Sequence, residues 1–307
     1  MRNVIRFLRP VDAVIIVFGL VLSIILLVFT GRDTEAFVVV TTNCIASFGI
    51  VFLARTRAHR ANKLLHAVFD WYPVPAIFLM FKEVHIVVQV LGENDWDNLL
   101  IAIDHVLFRV HPTQWLQQFS SPLLTELLQV VYTSYYFIML TVGIEVFLRH
   151  GREKFSYVLF VIVYGFILSY FGYITFPAVG PRFTLHDFQA LNIDLPGLFV
   201  TTAIRDFLNA GESIPKGAVN ALALAQRDAF PSGHTQMTLI SLYLAHQYRL
   251  RSRYVLYVFG ALLIISTVYL RYHYVIDVVA GVIFMLFTIW TAPKLVAWWN
   301  NTEGNMS

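Results

Sequence analysis

The 307 residues of this chain are 58% hydrophobic and only 13% charged, and their mean hydropathy is +0.66. This composition is typical of an integral membrane protein and excludes an ordinary soluble domain. The formal net charge of +3 is too small to indicate nucleic-acid binding, and the single cysteine, Cys44, excludes an intramolecular disulfide framework.

Apolar segments long enough to cross a bilayer recur along the chain, since a spanning helix needs about 20 mostly apolar residues. The candidates are residues 11–30, 36–54, 71–91, 122–147, 155–179, 235–249, 254–270 and 273–292. We therefore predict an all-α fold, a polytopic membrane helix bundle of about eight transmembrane helices. We expect N-terminal membrane helices and an external interfacial helix in residues 1–121, a further helix bundle in 122–292 and a cytoplasmic tail in 293–307.

Two of these spans need an interpretation. The first follows a basic segment, as in a signal peptide, but it has no small-x-small cleavage site, so we interpret it as a retained anchor. The third is interrupted by Lys82, Glu83 and His85. Because ionisable side chains within a membrane face the bundle interior and pair there, we expect these three to have polar partners inside the bundle.

Basic residues predict the orientation of the bundle. They cluster before the first span and after the second, fourth, sixth and eighth. The clusters are Arg2, Arg6 and Arg9; Arg55, Arg57, Arg60 and Lys63; Arg149, Arg152 and Lys154; Arg249, Arg251 and Arg253; and Lys294. All of them fall on one side, so the positive-inside rule places both termini in the cytoplasm of a multi-pass plasma (inner) membrane protein.

Two segments on the opposite, extracytoplasmic side are too long to be simple connections. Residues 92–121 contain an amphipathic run, residues 98–110, which predicts an interfacial helix. We interpret Asp104 and the two histidines near it as interfacial polar groups. Residues 183–229 are expected to form a lid or a wall of a substrate site.

Two short motifs stand at external helix ends: residues 230–235 (Phe-Pro-Ser-Gly-His-Thr) and residues 273–277 (His-Tyr-Val-Ile-Asp). Asp277 is four residues after His273, so on a helix it can hold one imidazole nitrogen and leave the other free as a nucleophile. His234 begins a helix whose first N–H groups, beside Gly233, form a natural anion site. The motifs therefore predict a site for a phosphate.

Arg182 and Arg271 stand at the same external junctions and can add bidentate contacts to phosphate oxygens. Because no acidic cluster with metal-ligand spacing accompanies them, we expect no metal and no cofactor. Two histidines and an aspartate can still ligate a metal, and that alternative stays open. We interpret Arg227 and Asp228 as a local ion pair. Tyrosines such as Tyr132, Tyr135 and Tyr136 are interpreted as packing residues.

Pro-Ser-Gly-His followed by His-x-x-x-Asp, in this order at successive helix ends, resembles the type 2 phosphatidic acid phosphatase superfamily of membrane lipid phosphatases and phosphotransferases. The resemblance covers residues 155–292, and it implies a six-helix-type catalytic core within the helix bundle of residues 122–292. It implies that His273 attacks phosphorus to form a phosphohistidine, that Asp277 orients and charges it, and that His234 protonates the leaving oxygen. It also implies that Ser232 and the Gly233 amide hold phosphate oxygens.

The sequence departs from the superfamily pattern in two places. Thr175 stands where the first motif usually has a lysine, and Thr267 stands where the third usually has an arginine. We expect Arg271 to substitute for the missing arginine of the third motif and to act together with Arg182 of the first motif. The pattern in residues 269–277 is similar to the branch that contains the inositol phosphorylceramide synthases, which transfer a phospho-headgroup between lipids.

We therefore expect an integral membrane enzyme that cleaves or transfers the phosphate or phospho-headgroup of a lipid on the extracytoplasmic face, without a metal. Its partners would be a membrane lipid with a phosphate headgroup and an alcohol or lipid acceptor. One alternative is a plain lipid phosphate phosphatase acting on polyprenyl or glycerolipid phosphates. A second is a non-catalytic lipid-binding or transport protein.

Overall fold

The computed structural model describes residues 7–31, 33–59, 62–92 and 95–304. Within these ranges the chain is helical and has no strand, so the predicted all-α fold is confirmed. Arg2, Arg6 and Arg60, which belong to the predicted cytoplasmic clusters, lie outside the described residues.

The helices follow one another along the chain in this order: α1 Pro10–Thr30, α2 Thr34–His59, α3 Lys63–Trp71, α4 Pro73–Leu91, α5 Asp97–Phe108, α6 Pro112–Leu116, α7 Pro122–Thr133, α8 Tyr135–Thr175, α9 Pro181–Thr184, α10 Leu191–Asp194, α11 Thr201–Gly211, α12 Ala221–Leu224, α13 Gly233–Gln247, α14 Arg253–Tyr269 and α15 Val275–Gly304. In the described part of the chain, five helical segments are long and apolar enough to cross a membrane. They are Pro10–Thr30, Thr34–His59, Lys63–Leu91, Tyr135–Thr175 and Val275–Thr302. The predicted spans 235–249 and 254–270 correspond to the shorter helices α13 and α14.

Helix α8 contains most of the predicted span 155–179 and the second part of the predicted span 122–147, whose first part is α7. Gly151 interrupts its 41 residues with φ 80° and ψ 178°, which are not helical values. The Tyr135 ring lies 4.3 Å from the His234 ring, and a Cβ on Gly172 would lie 2.2 Å from Pro231 Cδ. A straight helix of this length would separate its ends by about 60 Å. The chain therefore folds back at Gly151, inside the basic cluster predicted to separate two spans.

The described residues form two compact units. The first takes its residues from Met1–Gly92, Val146–Tyr170 and Leu286–Ser307. Glu83 is buried there and accepts a hydrogen bond of 3.0 Å from Asn43 Nδ2. The expectation that this intramembrane carboxyl has a polar partner in the bundle is confirmed for Glu83.

The same unit gathers charged residues from three predicted cytoplasmic junctions. Asp70 lies 3.2 Å from Arg152 Nε and 3.9 Å from Arg9 Nη1. Arg9 also forms a 2.8 Å ion pair with Asp12, and Asp12 accepts a hydrogen bond of 2.6 Å from the Tyr72 hydroxyl. Residues far apart in sequence thus lie close together in this unit.

The second unit comprises residues of Glu93–Glu145 and Phe171–Met285, and it contains both motifs. Helix α14 ends in a Schellman motif, in which the Tyr272 amide donates to Thr267 O (2.9 Å) and the Arg271 amide to Val268 O (3.0 Å). Arg271 occupies the left-handed position, with φ 69°, where glycine is usual. This turn carries the chain directly into His273.

Candidate active site

His273 is held by a backbone carbonyl. Its Nδ1 lies 2.8 Å from the Ala229 carbonyl oxygen and 3.4 Å from Asp277 Oδ2. A carbonyl only accepts, so Nδ1 carries the proton and Nε2 presents a free lone pair. Asp277 Oδ2 accepts the Tyr274 amide at 2.8 Å. The Asp277 side chain therefore lies close to the His273 ring, as predicted, but the shorter contact with the Ala229 carbonyl was not predicted.

His234 faces the free nitrogen of His273, because His234 Nδ1 lies 3.5 Å from His273 Nε2. Its ring stacks on Tyr132, with the ring centroids 4.6 Å apart, and lies against Tyr135 at 4.3 Å. Tyr132 stacks in turn on Tyr272 at 4.3 Å. These aromatic rings pack, as predicted, and they also fix the plane of the His234 imidazole.

A backbone hydrogen bond joins the start of α13 to the segment that carries Asp277. The Ser232 amide donates to the Asp277 carbonyl at 3.0 Å, and Ser232 Oγ caps the helix by accepting the Thr235 amide at 3.2 Å. A Cβ on Gly281 would lie 2.7 Å from the Ser232 carbonyl oxygen, so glycine permits this close approach. Gly233 and His234 begin α13, where amides have no intrahelical acceptor.

Arg182 packs against the Tyr272 ring, and its guanidinium already contacts polar side chains of the protein. Its side chain is 5% exposed and forms an ion pair with Glu212. Its Nη1 lies 3.3 Å from Asn209 Oδ1, and its guanidinium carbon is 4.7 Å from the centre of the Tyr272 ring. The Arg182 amide donates to Arg271 O at 3.0 Å, which ties the two arginine-bearing turns together.

Arg271 is completely buried, and only part of its guanidinium is used by the protein. Its Nη1 donates to Asp194 Oδ2 at 2.8 Å. Its Nε and Nη2 are buried and have no hydrogen-bond partner in the described part of the chain. Nε and one Nη form the edge of a guanidinium that binds an oxyanion in a bidentate manner. Arg271 can therefore accept a phosphate without releasing Asp194.

Two threonines, Thr175 and Thr267, stand where the sequence departs from the superfamily pattern. Each donates a hydrogen bond to a backbone carbonyl of its own helix. Thr175 Oγ1 donates to Phe171 O and Thr267 Oγ1 to Ile264 O, both at 2.7 Å. Among the described residues, no group of three or more His, Cys, Asp and Glu side chains has the arrangement of a metal site.

Two buried aspartates of α5 were not predicted to belong to the site. Asp97 accepts the amides of Val179 and Gly180, both at 2.9 Å. Asp104 accepts those of Val275 (2.8 Å) and Ile276 (2.9 Å). Burial raises the pKa of the Asp104 carboxyl.

The interpretation of Asp104 as an interfacial polar group was therefore wrong. The signal that could have identified the pair is their spacing of seven residues, which is two helical turns. It puts Asp97, Leu100 and Asp104 on one buried face of α5.

Arg227, which was predicted to pair with Asp228, forms an ion pair with Asp95, whose Oδ1 lies 3.1 Å from Arg227 Nε. Asp228 directly precedes Ala229, whose carbonyl holds His273. Burial, together with the charge of Glu212, raises the pKa of the Asp228 carboxyl to about 6.

Fold and site together define a helical membrane protein in which a buried histidine, His273, faces a partly buried one, His234, beside two arginines, an arrangement suited to phosphoryl chemistry. A family model described as the PAP2 superfamily matches residues 98–291, which is more than half of the chain. The chain therefore belongs to the PAP2 superfamily, and membership supports a phosphatase- or phosphotransferase-type lipid enzyme. The searches of curated proteins and of solved structures returned no match.

Proposed function

We propose that this protein cleaves or transfers a phosphate ester of a membrane lipid through a phosphohistidine on His273, at the extracytoplasmic face. One observation carries the proposal. The Nδ1–H of His273 donates a hydrogen bond to the Ala229 carbonyl, so the lone pair is on Nε2, the nitrogen that faces His234. A nucleophile in contact with its acid–base partner and oriented by a third group is the recurring arrangement in covalent catalysis.

The reaction has two balanced steps. In the first, His273 Nε2 attacks phosphorus, the bond from phosphorus to the leaving oxygen breaks, and His234 gives that oxygen a proton. In the second, the oxygen of water or an alcohol attacks phosphorus, His234 takes its proton, and the N–P bond breaks. Asp277, 3.4 Å from Nδ1, stabilises the positive charge on the phosphorylated ring.

Phosphate oxygens would be held by the start of α13 and by the arginines. The Ser232 hydroxyl keeps its proton while it caps the helix, so it can still donate. The amide of Gly233 belongs to the free first turn, and the Nε–Nη2 edge of Arg271 has no protein partner in the described residues. Arg182 would contribute once its pairing with Glu212 is shared or broken.

The charges around the site favour a phosphodiester as substrate. Arg182 is paired with Glu212 and Arg271 with Asp194, so little positive charge is left uncompensated. A phosphodiester carries one negative charge, whereas a phosphomonoester carries nearly two at neutral pH. We therefore favour transfer of a phospho-headgroup, as in the inositol phosphorylceramide synthase branch, over hydrolysis of a lipid monophosphate.

Purified protein in detergent tests the proposal with two matched lipid substrates, a phosphodiester and a phosphomonoester labelled at phosphorus. Alcohols and lipid alcohols are then added as acceptors. We expect faster loss of the diester and a labelled product on the acceptor. Faster release of free phosphate from the monoester would favour the plain phosphatase instead. Absence of turnover with either substrate, while lipid still binds, would favour the non-catalytic alternative.

A further inference from the structure

Helix α5 has two buried carboxylates on the face that packs against the segments carrying Arg182 and His273. Asp97 is 3% exposed and Asp104 is 2% exposed, whereas Val106 and Leu107 on the same helix are largely exposed. A carboxylate is costly to bury unless its oxygens are hydrogen bonded. All four oxygens accept hydrogen bonds here, and each of these bonds comes from a segment that carries a site residue.

Asp97 binds the turn that leads into Arg182. Besides the amides of Val179 and Gly180, it accepts a hydrogen bond of 2.6 Å from the Tyr274 hydroxyl. Gly180 has φ +92°, and a Cβ there would lie 2.7 Å from the Tyr272 carbonyl oxygen. The turn therefore lies directly on the backbone that precedes His273, and Asp97 holds it there.

Asp104 binds the segment that follows His273. The amides of Val275 and Ile276 begin α15 and have no acceptor within that helix. Asp104 takes both, and Asp277 takes the amide of Tyr274. Three consecutive amides after His273 are thus fixed by two carboxylates, which leaves the backbone at the nucleophile little freedom.

We infer that Asp97 and Asp104 are positioning residues, through which α5 sets the distance between the Arg182 guanidinium and His273. This inference rests on the proposed function and extends it to a helix outside both motifs. Neither carboxylate touches substrate, because their oxygens are taken by the backbone and by Tyr274. They act only through the segments that they hold.

The test compares Asp97→Asn and Asp104→Asn with a matched control, Glu145→Gln. Asparagine keeps only one acceptor oxygen, so each aspartate variant loses one backbone hydrogen bond. Glu145 also accepts backbone amides, those of Arg251 and Ser252, but at a junction predicted to be cytoplasmic. All three variants thus weaken a carboxylate–backbone contact, and only two of them touch the site.

We expect kcat/KM per folded molecule to fall roughly 10²-fold in both aspartate variants, the loss typical of small misplacements of reacting groups. Asp97→Asn should also raise KM, because it loosens the phosphate-binding arginine. Asp104→Asn should lower kcat alone, because it loosens the nucleophile. The control should retain wild-type kcat and KM. A purely structural role would lower the folded yield and leave both constants unchanged, which would overturn the inference.

Hydrogen exchange of the wild type and the variants gives a readout independent of activity. The amides of Val179 and Gly180 should exchange faster in Asp97→Asn, and those of Val275 and Ile276 in Asp104→Asn. Faster exchange with unchanged kcat/KM would overturn the inference and leave the proposed function standing. If the wild type is inactive but the variants show the expected faster exchange, the proposed function fails, whereas the positioning of the backbone segments by Asp97 and Asp104 stands.

If the aspartate variants fail to fold, Tyr274→Phe replaces them. It removes only the hydroxyl that bonds to Asp97 and Thr184, and it leaves both backbone contacts of Asp97 intact. We expect a smaller loss of kcat/KM, about tenfold, since one of three contacts is removed. Wild-type activity in this variant would then overturn the inference.

Discussion

The His273 ring is oriented by a backbone carbonyl, so we expect the carboxylate of Asp277 to act on this ring mainly through its charge. The Ala229 contact is 2.8 Å and the Asp277 contact 3.4 Å. Replacement of Asp277 therefore removes a charge near the ring without releasing the ring.

We accordingly predict that Asp277→Asn lowers kcat by about 10²–10⁴-fold, because the charge that stabilises the cationic imidazole is lost. The asparagine oxygen can still accept the Tyr274 amide, so the fold should persist. Steady-state kinetics and thermal unfolding of the purified variant measure both effects. Wild-type kcat in Asp277→Asn would mean that this carboxylate does not act on His273.

Arg271 can be replaced by glycine without backbone strain, because glycine readily adopts its φ of 69°. Arg271→Gly removes the guanidinium without straining the turn. Arg249 is its matched control. It has φ 50° at the end of α13, and the amides there, Arg249 to His246 O and Leu250 to Ala245 O, form the same Schellman motif.

We predict that Arg271→Gly lowers kcat/KM by about 10²–10³-fold, the usual cost of losing one preorganised charge-stabilising donor. Arg249→Gly should retain wild-type kinetics, and both variants should remain folded. Kinetics on the same lipid substrate provide the comparison. Equal activity of the two glycine variants would remove Arg271 from the phosphate site.

At the scale of elements, the segment 183–229, which is predicted to be external, supplies carboxylates that pair with both arginines of the candidate site. Glu212 follows α11 and pairs with Arg182, and Asp194 ends α10 and pairs with Arg271. Arg205 of α11 reaches back to α10 by donating to Asn192 Oδ1 at 2.8 Å. The segment expected to be a lid or a wall thus contacts both Arg182 and Arg271, the arginines that we propose to bind phosphate.

We predict that Glu212→Gln shifts substrate preference toward phosphomonoesters, because Arg182 regains an uncompensated positive charge. The ratio of kcat/KM for matched monoester and diester lipids should rise at least tenfold, which corresponds to about 1.4 kcal/mol of differential binding. Asp206→Asn, which breaks an exposed ion pair with Lys216 in the same segment, is the control. An unchanged ratio in Glu212→Gln would show that Glu212 does not set the charge preference.

Sequence patterns were sufficient for the elements and for part of the site. Apolar runs predicted the long helices, and the basic cluster around Gly151 predicted the reversal within α8. The predicted topology put His234 and His273 at helix ends on the same face, and the spacing of four residues put Asp277 beside His273. The Ala229 carbonyl contact could not be predicted, because any residue presents the same carbonyl and only the tertiary fold selects this one. The partner of Arg227 was missed for a similar reason, since Asp95 is distant in sequence.

At the scale of the whole molecule, residues from predicted cytoplasmic junctions meet one another, as do residues from predicted external junctions. Asp70 meets Arg152 in the first unit. In the second unit, Glu145 accepts a hydrogen bond from the Arg251 amide, whereas the site gathers junctions predicted to be external.

The predicted orientation can be tested with single cysteines in a Cys44→Ala background. Val219→Cys lies in the external segment, where Val219 is 98% exposed. Glu153→Cys lies in the basic cluster beside Gly151 and is exposed as well. In intact cells an impermeant thiol reagent should label position 219 and not position 153, which should react only after the cells are opened. The reverse pattern would put the site in the cytoplasm.

The most direct test of the central claim is to trap the covalent intermediate. Purified protein is mixed with a phosphorus-labelled lipid phosphodiester, quenched in alkali, in which phosphohistidine is stable, and digested for peptide mapping. We expect the label on the peptide that contains His273, and neither label nor turnover in His273→Ala. Turnover by the wild type with no label on His273, or turnover by His273→Ala at a comparable rate, would contradict the phosphohistidine mechanism.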